Sequence, residues 1–304
     1  MNKKIAIVTG ANTGLGYAAS LGLAKEGYKV IMACRSADKA NDAIAKIKRK
    51  VSTADLEYIQ LDLVDRDTIK AFAETYASKH DHLNVLLNNA GVMGPPHTIT
   101  QNGLELQLDA NHMGHFYLTY LLMDALDQSY ETRVVNVSSI AGKSKQADIY
   151  FDNINFEGNY NEGPSFMGVT GMTAYSQSKF ANILFTMALK DRLEKAGKHI
   201  KAVAAHPGVS NTDLSRNFPA MIRFLVPILS RVMNISQPAE GAQSLLVAAL
   251  DASVQAGDFI GPTGKGEATG KPGKVKLPEK AHDKALSAKF WAFSESELGI
   301  QFDI

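Results

Sequence analysis

The sequence predicts an α/β fold: a doubly wound parallel sheet with helices packed against it. Three observations predict it. Short apolar runs alternate with longer helix-like segments across the first 260 residues, the order that builds a parallel sheet through crossover helices. The apolar runs lack polar alternation, as in Val85-Leu-Leu87 and Val134-Val-Asn-Val137, and so read as strands buried on both faces. The first run passes straight into a glycine-rich turn and then a helix.

The elements follow in order. Lys4-Ile-Ala-Ile-Val-Thr9 is strand-like, Gly10-Ala-Asn-Thr-Gly14-Leu-Gly16 is a turn, and residues 15–26 form a helix that stops at Gly27. Strand, glycine turn and helix make a place where a helix N-terminus can hold a pyrophosphate. Glycine is needed where the backbone must approach phosphates closely. The spacing is G-x-x-x-G-x-G rather than G-x-G-x-x-G. Further strands are expected at 29–34, 56–60, 83–87, 132–138, 200–205 and about 257–260, with helices at 37–50, 66–80, 101–127, 173–196 and 238–250. Residues 261–273 are rich in Gly and Pro and read as a loop. Residues 279–296 read as one more helix, packed back through Trp291 and Phe293. No linker divides residues 1–260, and repeats and low-complexity tracts are absent.

Composition sets outer limits. The chain has 304 residues, 45% apolar and 21% charged, the profile of a soluble globular protein with a large core. Its net charge of +1 gives no reason to expect a nucleic-acid partner. The single cysteine, Cys34, excludes an internal disulfide and fits a reducing compartment. No apolar run reaches 18 residues, so no spanning helix is expected. The N-terminus enters a strand with no signal-peptide core. Together these predict a cytoplasmic protein. No metal-ligand spacing surrounds His112, His115 or His206, which read as packing or hydrogen-bonding residues, and no metal is expected.

Tyr175 and Lys179 stand four residues apart in Ala174-Tyr-Ser-Gln-Ser-Lys179. In a helix both project from one face. A free phenol titrates near pH ~10. A neighbouring ammonium favours the phenolate and is expected to lower that value, which makes the pair a general acid/base. The pattern is short and recurs by chance, so its weight comes from company. Thr9-Gly10-Ala-Asn-Thr-Gly14-Leu-Gly16, Asn88-Asn-Ala-Gly91, Asn111, Val137-Ser-Ser139 and Tyr175-x-x-x-Lys179 occur in this order.

That set resembles the short-chain dehydrogenase/reductase family from residue 4 to about 260. The words Ala33-Cys-Arg-Ser36, Asn111-His-Met-Gly-His-Phe116 and Phe180-Ala-Asn-Ile-Leu-Phe185 resemble its retinol-dehydrogenase-like and protochlorophyllide-reductase-like branch. The resemblance implies a Rossmann-like unit over 1–260 that binds the dinucleotide and carries catalysis. Within it lie an insert at 140–174 and a substrate lid at 211–236, and residues 261–304 form an extension. It implies hydride transfer between nicotinamide and a carbonyl or alcohol carbon. Tyr175 would protonate the forming alkoxide. Lys179 would hold the nicotinamide ribose, Ser139 the substrate oxygen, and Asn111 a water near Lys179. Ser138 is the competing serine; neighbours on a strand face opposite ways, and the family pattern selects Ser139. The resemblance also assigns Gly10, Asn12, Thr13, Gly14, Leu15 and Gly16 to the cofactor, Asp62 with Leu63 to the adenine, and Asn88 or Asn89 with Ala90 and Gly91 to its ribose. Pro207, Gly208, Val209 and Thr212 fall to the nicotinamide. Asp62 can equally be a turn or capping carboxylate beside Asp65 and Asp67.

Cofactor choice is read at the second strand. An NAD-binding chain carries an acid about 20 residues past the glycines. Here Ala33-Cys-Arg-Ser36 holds none. Arg35 can pair with a 2′-phosphate, with Ser36 adding a hydroxyl, so NADP(H) is expected over NAD(H), with Asp38 a nearby complicating charge. Two features bear on substrate: 35 residues separate Ser139 from Tyr175, and residues 218–233 form an apolar run broken by Pro227. That run can cap a lipophilic pocket, touch a membrane or sit in an oligomer contact, so a bulky hydrophobic aldehyde, ketone or alcohol is expected. Two other classes stay open: an NADP(H)-binding regulatory protein with little catalysis, which the complete Asn111, Ser139, Tyr175 and Lys179 set opposes, and an epimerase or dehydratase, which the glycine spacing opposes. Substrate identity, reaction direction and a homo-oligomer are left open by the sequence.

Overall fold

The structure is a computed structural model, and it describes residues 3–128, 131–163, 165, 170–209 and 237–304. Eight strands form one sheet in the order β3-β2-β1-β4-β5-β6-β7-β8: β1 (Ile5–Thr9), β2 (Lys29–Cys34), β3 (Asp55–Gln60), β4 (Val85–Asn88), β5 (Arg133–Val137), β6 (Lys201–Ala205), β7 (Phe259–Pro262) and β8 (Pro272–Lys274). All neighbours pair in parallel except β7 and β8. The order reverses between β1 and β4, which opens a crevice at the carboxyl ends of the strands.

Helices are α1 (Gly14–Lys25), α2 (Ala37–Lys50), α3 (Arg66–Ala77), α4 (Leu106–Leu108), α5 (Gly114–Leu121), α6 (Met123–Asp127), α7 (Met172–Lys195), α8 (Pro238–Leu250) and α9 (Lys284–Leu298). The strands bury both faces. Ala6 and Val8 face α1, α2 and α8 through Leu15, Leu23, Ile47 and Leu245. Ile5 and Ile7 face the opposite layer, with Phe72 of α3, Phe116 of α5, Phe185 of α7 and Trp291 of α9. This explains why β1, β4 and β5 show no polar alternation. Arg133 is buried at the start of β5 and donates to the carbonyls of Ala248 and Asp251 (2.9 and 2.7 Å), closing the C-terminus of α8. Burial pushes the Cys34 thiol up to about 11, which leaves it unreactive at neutral pH.

Three expectations need correction. The helix expected over 101–127 begins only at Leu106, because Gly103 takes φ +78° and the Glu105 carboxylate caps the first turn by accepting from Leu108 N–H. It then widens into a π-turn over Asp109–Met113 and breaks at Leu122. The loop expected at 261–273 overlaps the end of β7 and runs into β8, antiparallel to it with Gly261 opposite Gly273. Three residues of Pro-Gly-Lys carry no strand signal, and edge pairing alone makes them one. The last helix starts at Lys284, capped by Asp283, after a separate 3-10 turn at Glu279–His282. Trp291 packs into the main core as expected, while Phe293 meets Phe151 of the 140–174 insert (6.1 Å between ring centres). The expected lid at 211–236, its apolar run 218–233, Thr212, and Phe166 and Met167 of the insert lie outside the described residues.

Phe116 joins these layers. It is fully buried, with ring centres 5.0 Å from Phe185, 4.8 Å from Trp291 and 5.4 Å from Phe302. Phe116→Ala should cost about 3–5 kcal/mol of stability, seen as a lower urea midpoint at unchanged slope.

Candidate active site

The nucleotide end is built around the close of β1. Gly10 and Gly14 adopt φ +66° and +53°, conformations that favour glycine. A Cβ on Gly16 would overlap the Gly10 carbonyl, so the first turn of α1 packs directly on the glycine turn. Leu15 is buried beneath it, while Asn12 and Thr13 are half-buried, Thr13 at the N-cap of α1. The helix start therefore opens on the crevice, a favourable place for an anion.

Thr9 laces this turn to β4. Its hydroxyl accepts from the backbone N–H of Asn89 and of Ala90, both at 2.9 Å. The Asn89 amide donates to the Thr9 carbonyl (2.8 Å). Asn89, Ala90 and Gly91 thus border the crevice. Asn88 does not: it is buried inside the sheet, donating to Asn136 Oδ1 (2.8 Å) and Thr119 Oγ1 (3.1 Å). Arg35 is exposed just past β2, and Ser36 caps α2 by accepting from Lys39 N–H (3.4 Å). Asp38 is exposed in the first turn of α2. The cap of α3 is Asp65; the Asp62 carboxylate instead accepts from Val64 N–H (3.3 Å). The Leu63 loop packs on Gly114, where a Cβ would strike the Leu63 carbonyl.

The second cluster lies where α7 packs along β5 and β6, beside the strip that follows β4. Tyr175 and Lys179 are both 4% exposed, on one face of α7. Lys179 Nζ donates to Val137 O (3.1 Å) and lies 5.8 Å from the Tyr175 ring centre. Ser138 is turned inward and donates to Lys179 O (2.7 Å). Ser139 is half-buried beside Tyr175, its Oγ accepting from Ala141 N–H (3.2 Å). Asn111 sits in the π-turn. Its Oδ1 accepts from Val92 N–H (2.7 Å), and its Nδ2 donates to Val92 O (3.0 Å) and Ser178 Oγ (2.9 Å). A Cβ on Gly91 would sit 3.0 Å from Asn111 Oδ1 and 3.3 Å from Lys179 Nζ, so the two clusters meet at Gly91.

The electrostatics differ from the expectation that Lys179 lowers the Tyr175 pKa. Burial pushes Tyr175 up to about 12, with the nearby Ser139 hydroxyl opposing it. Burial also brings Lys179 down to about 8. Desolvation outweighs mutual influence here. At neutral pH the site holds a protonated phenol beside an ammonium: a proton donor.

Sequence reasoning missed two supports. Thr9 carries a hydroxyl at the strand end just before Gly10, a signal that was readable. Gln107 is buried and joins three backbone or hydroxyl groups. It accepts from Gly94 N–H (2.9 Å) and donates to Tyr160 Oη (2.9 Å) and Gly171 O (3.0 Å), while Tyr160 donates to Pro95 O (2.8 Å). It ties the insert to the strip after Gly91, and nothing in its sequence context announces it. Among the described residues no three His, Cys, Asp or Glu side chains are grouped to hold a metal, and no helix is long and apolar enough to cross a membrane.

The glycine turn and the Ser139, Tyr175, Lys179 group at one crevice fit a nicotinamide dinucleotide, because the glycines leave room that a Cβ would fill and a proton donor stands at the far end. The comparisons agree. The short chain dehydrogenase family model matches residues 4–150 and 163–223. Mouse Retinol dehydrogenase 11 is 38% identical over 247 residues, covering 81% of this chain and 73% of the relative. Human Retinol dehydrogenase 14 is 34% identical over 317 residues, covering 99% and 88%. The crystal structure of an uncharacterized protein from Mycobacterium Paratuberculosis superposes with a TM-score of 0.78 at 32% identity, covering 99% of this chain and 95% of that one. Carrying the family's motifs at the crevice where the sheet order reverses, this chain belongs to the short-chain dehydrogenase family, as a retinol-dehydrogenase-like oxidoreductase.

Proposed function

We propose that the protein is an NADP(H)-dependent oxidoreductase of hydrophobic aldehydes, ketones or alcohols, with reduction as the direction its free form is prepared for. The observation that carries the reading is the protonated, buried Tyr175 beside Ser139 at a glycine-lined crevice. When bound, the nicotinamide supplies or takes the hydride. Gly10, Gly14, Gly16 and the start of α1 would receive the pyrophosphate. Arg35 and Ser36 would receive the 2′-phosphate, which the absence of an acid at 33–36 supports. Ser139 would hold the substrate oxygen against Tyr175, which gives it a proton. Lys179 would hold the ribose hydroxyls, and Pro207, Gly208 and Val209 would border the nicotinamide.

Two features support an apolar substrate. The relatives named above are named for retinol, a long apolar alcohol. The insert sets Phe156 and Tyr160, each 4% exposed, against Ala174, the residue before Tyr175. Tyr150 packs against them with its ring tilted by 60° to Phe156, the ring centres 5.2 Å apart. An aromatic group thus abuts the first turn of α7, one residue before Tyr175.

NADPH oxidation by the purified protein against long-chain and aromatic aldehydes, ketones and quinones tests the reading. Tyr175→Phe should lower turnover by about 100-fold or more while NADPH still binds; retained turnover would refute the assignment, and activity confined to small polar carbonyls would refute the apolar substrate. Arg35→Ala should raise the KM for NADPH about 10-fold or more with little change for NADH. The pH profile follows from Lys179: the ammonium is present below about 8 and lost above it, whereas Tyr175 keeps its proton up to about 12. The kcat/KM for reduction should therefore be level below pH 8 and fall above it, because kcat/KM reports the free enzyme.

A further inference from the structure

An ionic cluster joins the segments that follow β5, β6 and β7. Glu267 is at its centre. Its two carboxylate oxygens accept from Lys143 Nζ at 2.6 and 2.7 Å, and one also accepts from His206 Nε2 at 3.0 Å. His206 Nδ1 accepts from Gly208 N–H at 3.2 Å. A backbone N–H can only donate, so Nδ1 is bare and Nε2 carries the proton that goes to Glu267. The ring is neutral and tied at both nitrogens.

The surroundings are fitted to this ring. His206 is fully buried, Phe259 meets it at 5.0 Å between ring centres, and a Cβ on Gly261 would overlap it. Val209 N–H donates to Ala268 O at 2.8 Å, a second bond between the same two segments. Gly208 has φ +72°, and a Cβ there would strike the Ala268 carbonyl. Glu267 itself has φ +56°, a conformation a non-glycine residue keeps only when its surroundings hold it. Lys143 ends the 3-10 turn Ile140–Lys143 that starts directly after Ser139.

We propose that Glu267 and His206 are positioning residues for the nicotinamide end of the cofactor, and that Lys143 ties them to the strand end carrying Ser139. The inference rests on reading the Pro207-Gly208 turn as the nicotinamide border. The cluster then sets the spacing between the turn beside the hydride-bearing ring and the serine that holds the substrate oxygen. Removing the Glu267 carboxylate releases the His206 ring and, through it, Gly208 N–H. It leaves untouched the Gly10 turn, Arg35 and Asp62, which stand at the ends of β1, β2 and β3.

The experiment compares two ligands on the full chain: NADPH, and 2′-phospho-ADP-ribose, which lacks the nicotinamide. Glu267→Ala should weaken NADPH about 10-fold and leave the nicotinamide-free ligand unchanged. Glu267→Gln, which keeps an acceptor for His206, should recover part of the loss. Hydride transfer from 4-deuterated NADPH should slow in Glu267→Ala, with the isotope effect on kcat increased. If Glu267→Ala does not fold, His206→Asn and Glu267→Gln carry the same comparison. Equal weakening of both ligands, or of neither, would overturn the positioning role. A wild-type chain that binds no NADPH would overturn the cofactor reading and this inference with it.

Discussion

One buried hydrogen-bond chain holds the two halves of the site together. His115 Nδ1 donates to the Asn111 carbonyl (2.9 Å), and its Nε2 pairs with the Thr9 hydroxyl (2.8 Å). The carbonyl can only accept, so Nδ1 carries the proton and Nε2 receives the one from Thr9. Thr9 in turn accepts from Asn89 and Ala90 N–H. Every member sits at 0–1% exposure apart from the half-buried loop amides, where an unmade bond is most costly. Burial brings His115 down to about 4, so the chain keeps one protonation state across the physiological range. The glycine turn, the strip after β4 and the π-turn of Asn111 cannot move independently while it is intact.

The π-turn is the second half of that constraint. Residues 109–113 are all buried, and the widened turn lets Asn111 reach both polar groups of Val92 and the Ser178 hydroxyl. Asp109 starts the turn, pairing with Arg66 and accepting from Thr100 (2.7 Å) and Asn102 (2.8 Å). Arg66 also donates to Leu63 O (3.0 Å). The loop carrying Asp62 is thereby anchored to the same turn as Asn111. Such π-turns are rare and gather at functional sites, and here the turn joins the expected adenine end to the proton-donating end.

Much of the site was legible because its residues are tied to backbone geometry. Gly10, Gly14 and Gly16 stand where positive φ or close approach demands glycine, and Tyr175 and Lys179 share a helix face by spacing alone. Asn88 against Asn89 was not legible: both are asparagines at a strand end, and only the pairing of β4 with β5 buries the first against Asn136. The broken helix after residue 105 was hidden for a similar reason. Its apolar periodicity is continuous, while the π-turn and the stop at Leu122 arise from contacts with distant loops. The three-residue β8 exists only because β7 offers an edge.

By itself the sequence determined the alternation of strands and helices over most of the chain, the burial of both sheet faces and the glycine turn, since these follow from local periodicity and from glycine's stereochemistry, while Asn111 and Ser139 were placed at the crevice by resemblance to the family's motifs. Tertiary structure alone decided the charge states and the joints. Burial reversed the expected direction of the Tyr175 shift, because desolvation depends on everything packed around a group and not on its neighbour four residues away. The same packing brought Glu267, in a loop that reads as plain turn, onto His206 and Lys143, 61 and 124 residues away in the chain. Contacts between residues so far apart are set by how the strands order in the sheet, and no local pattern records them.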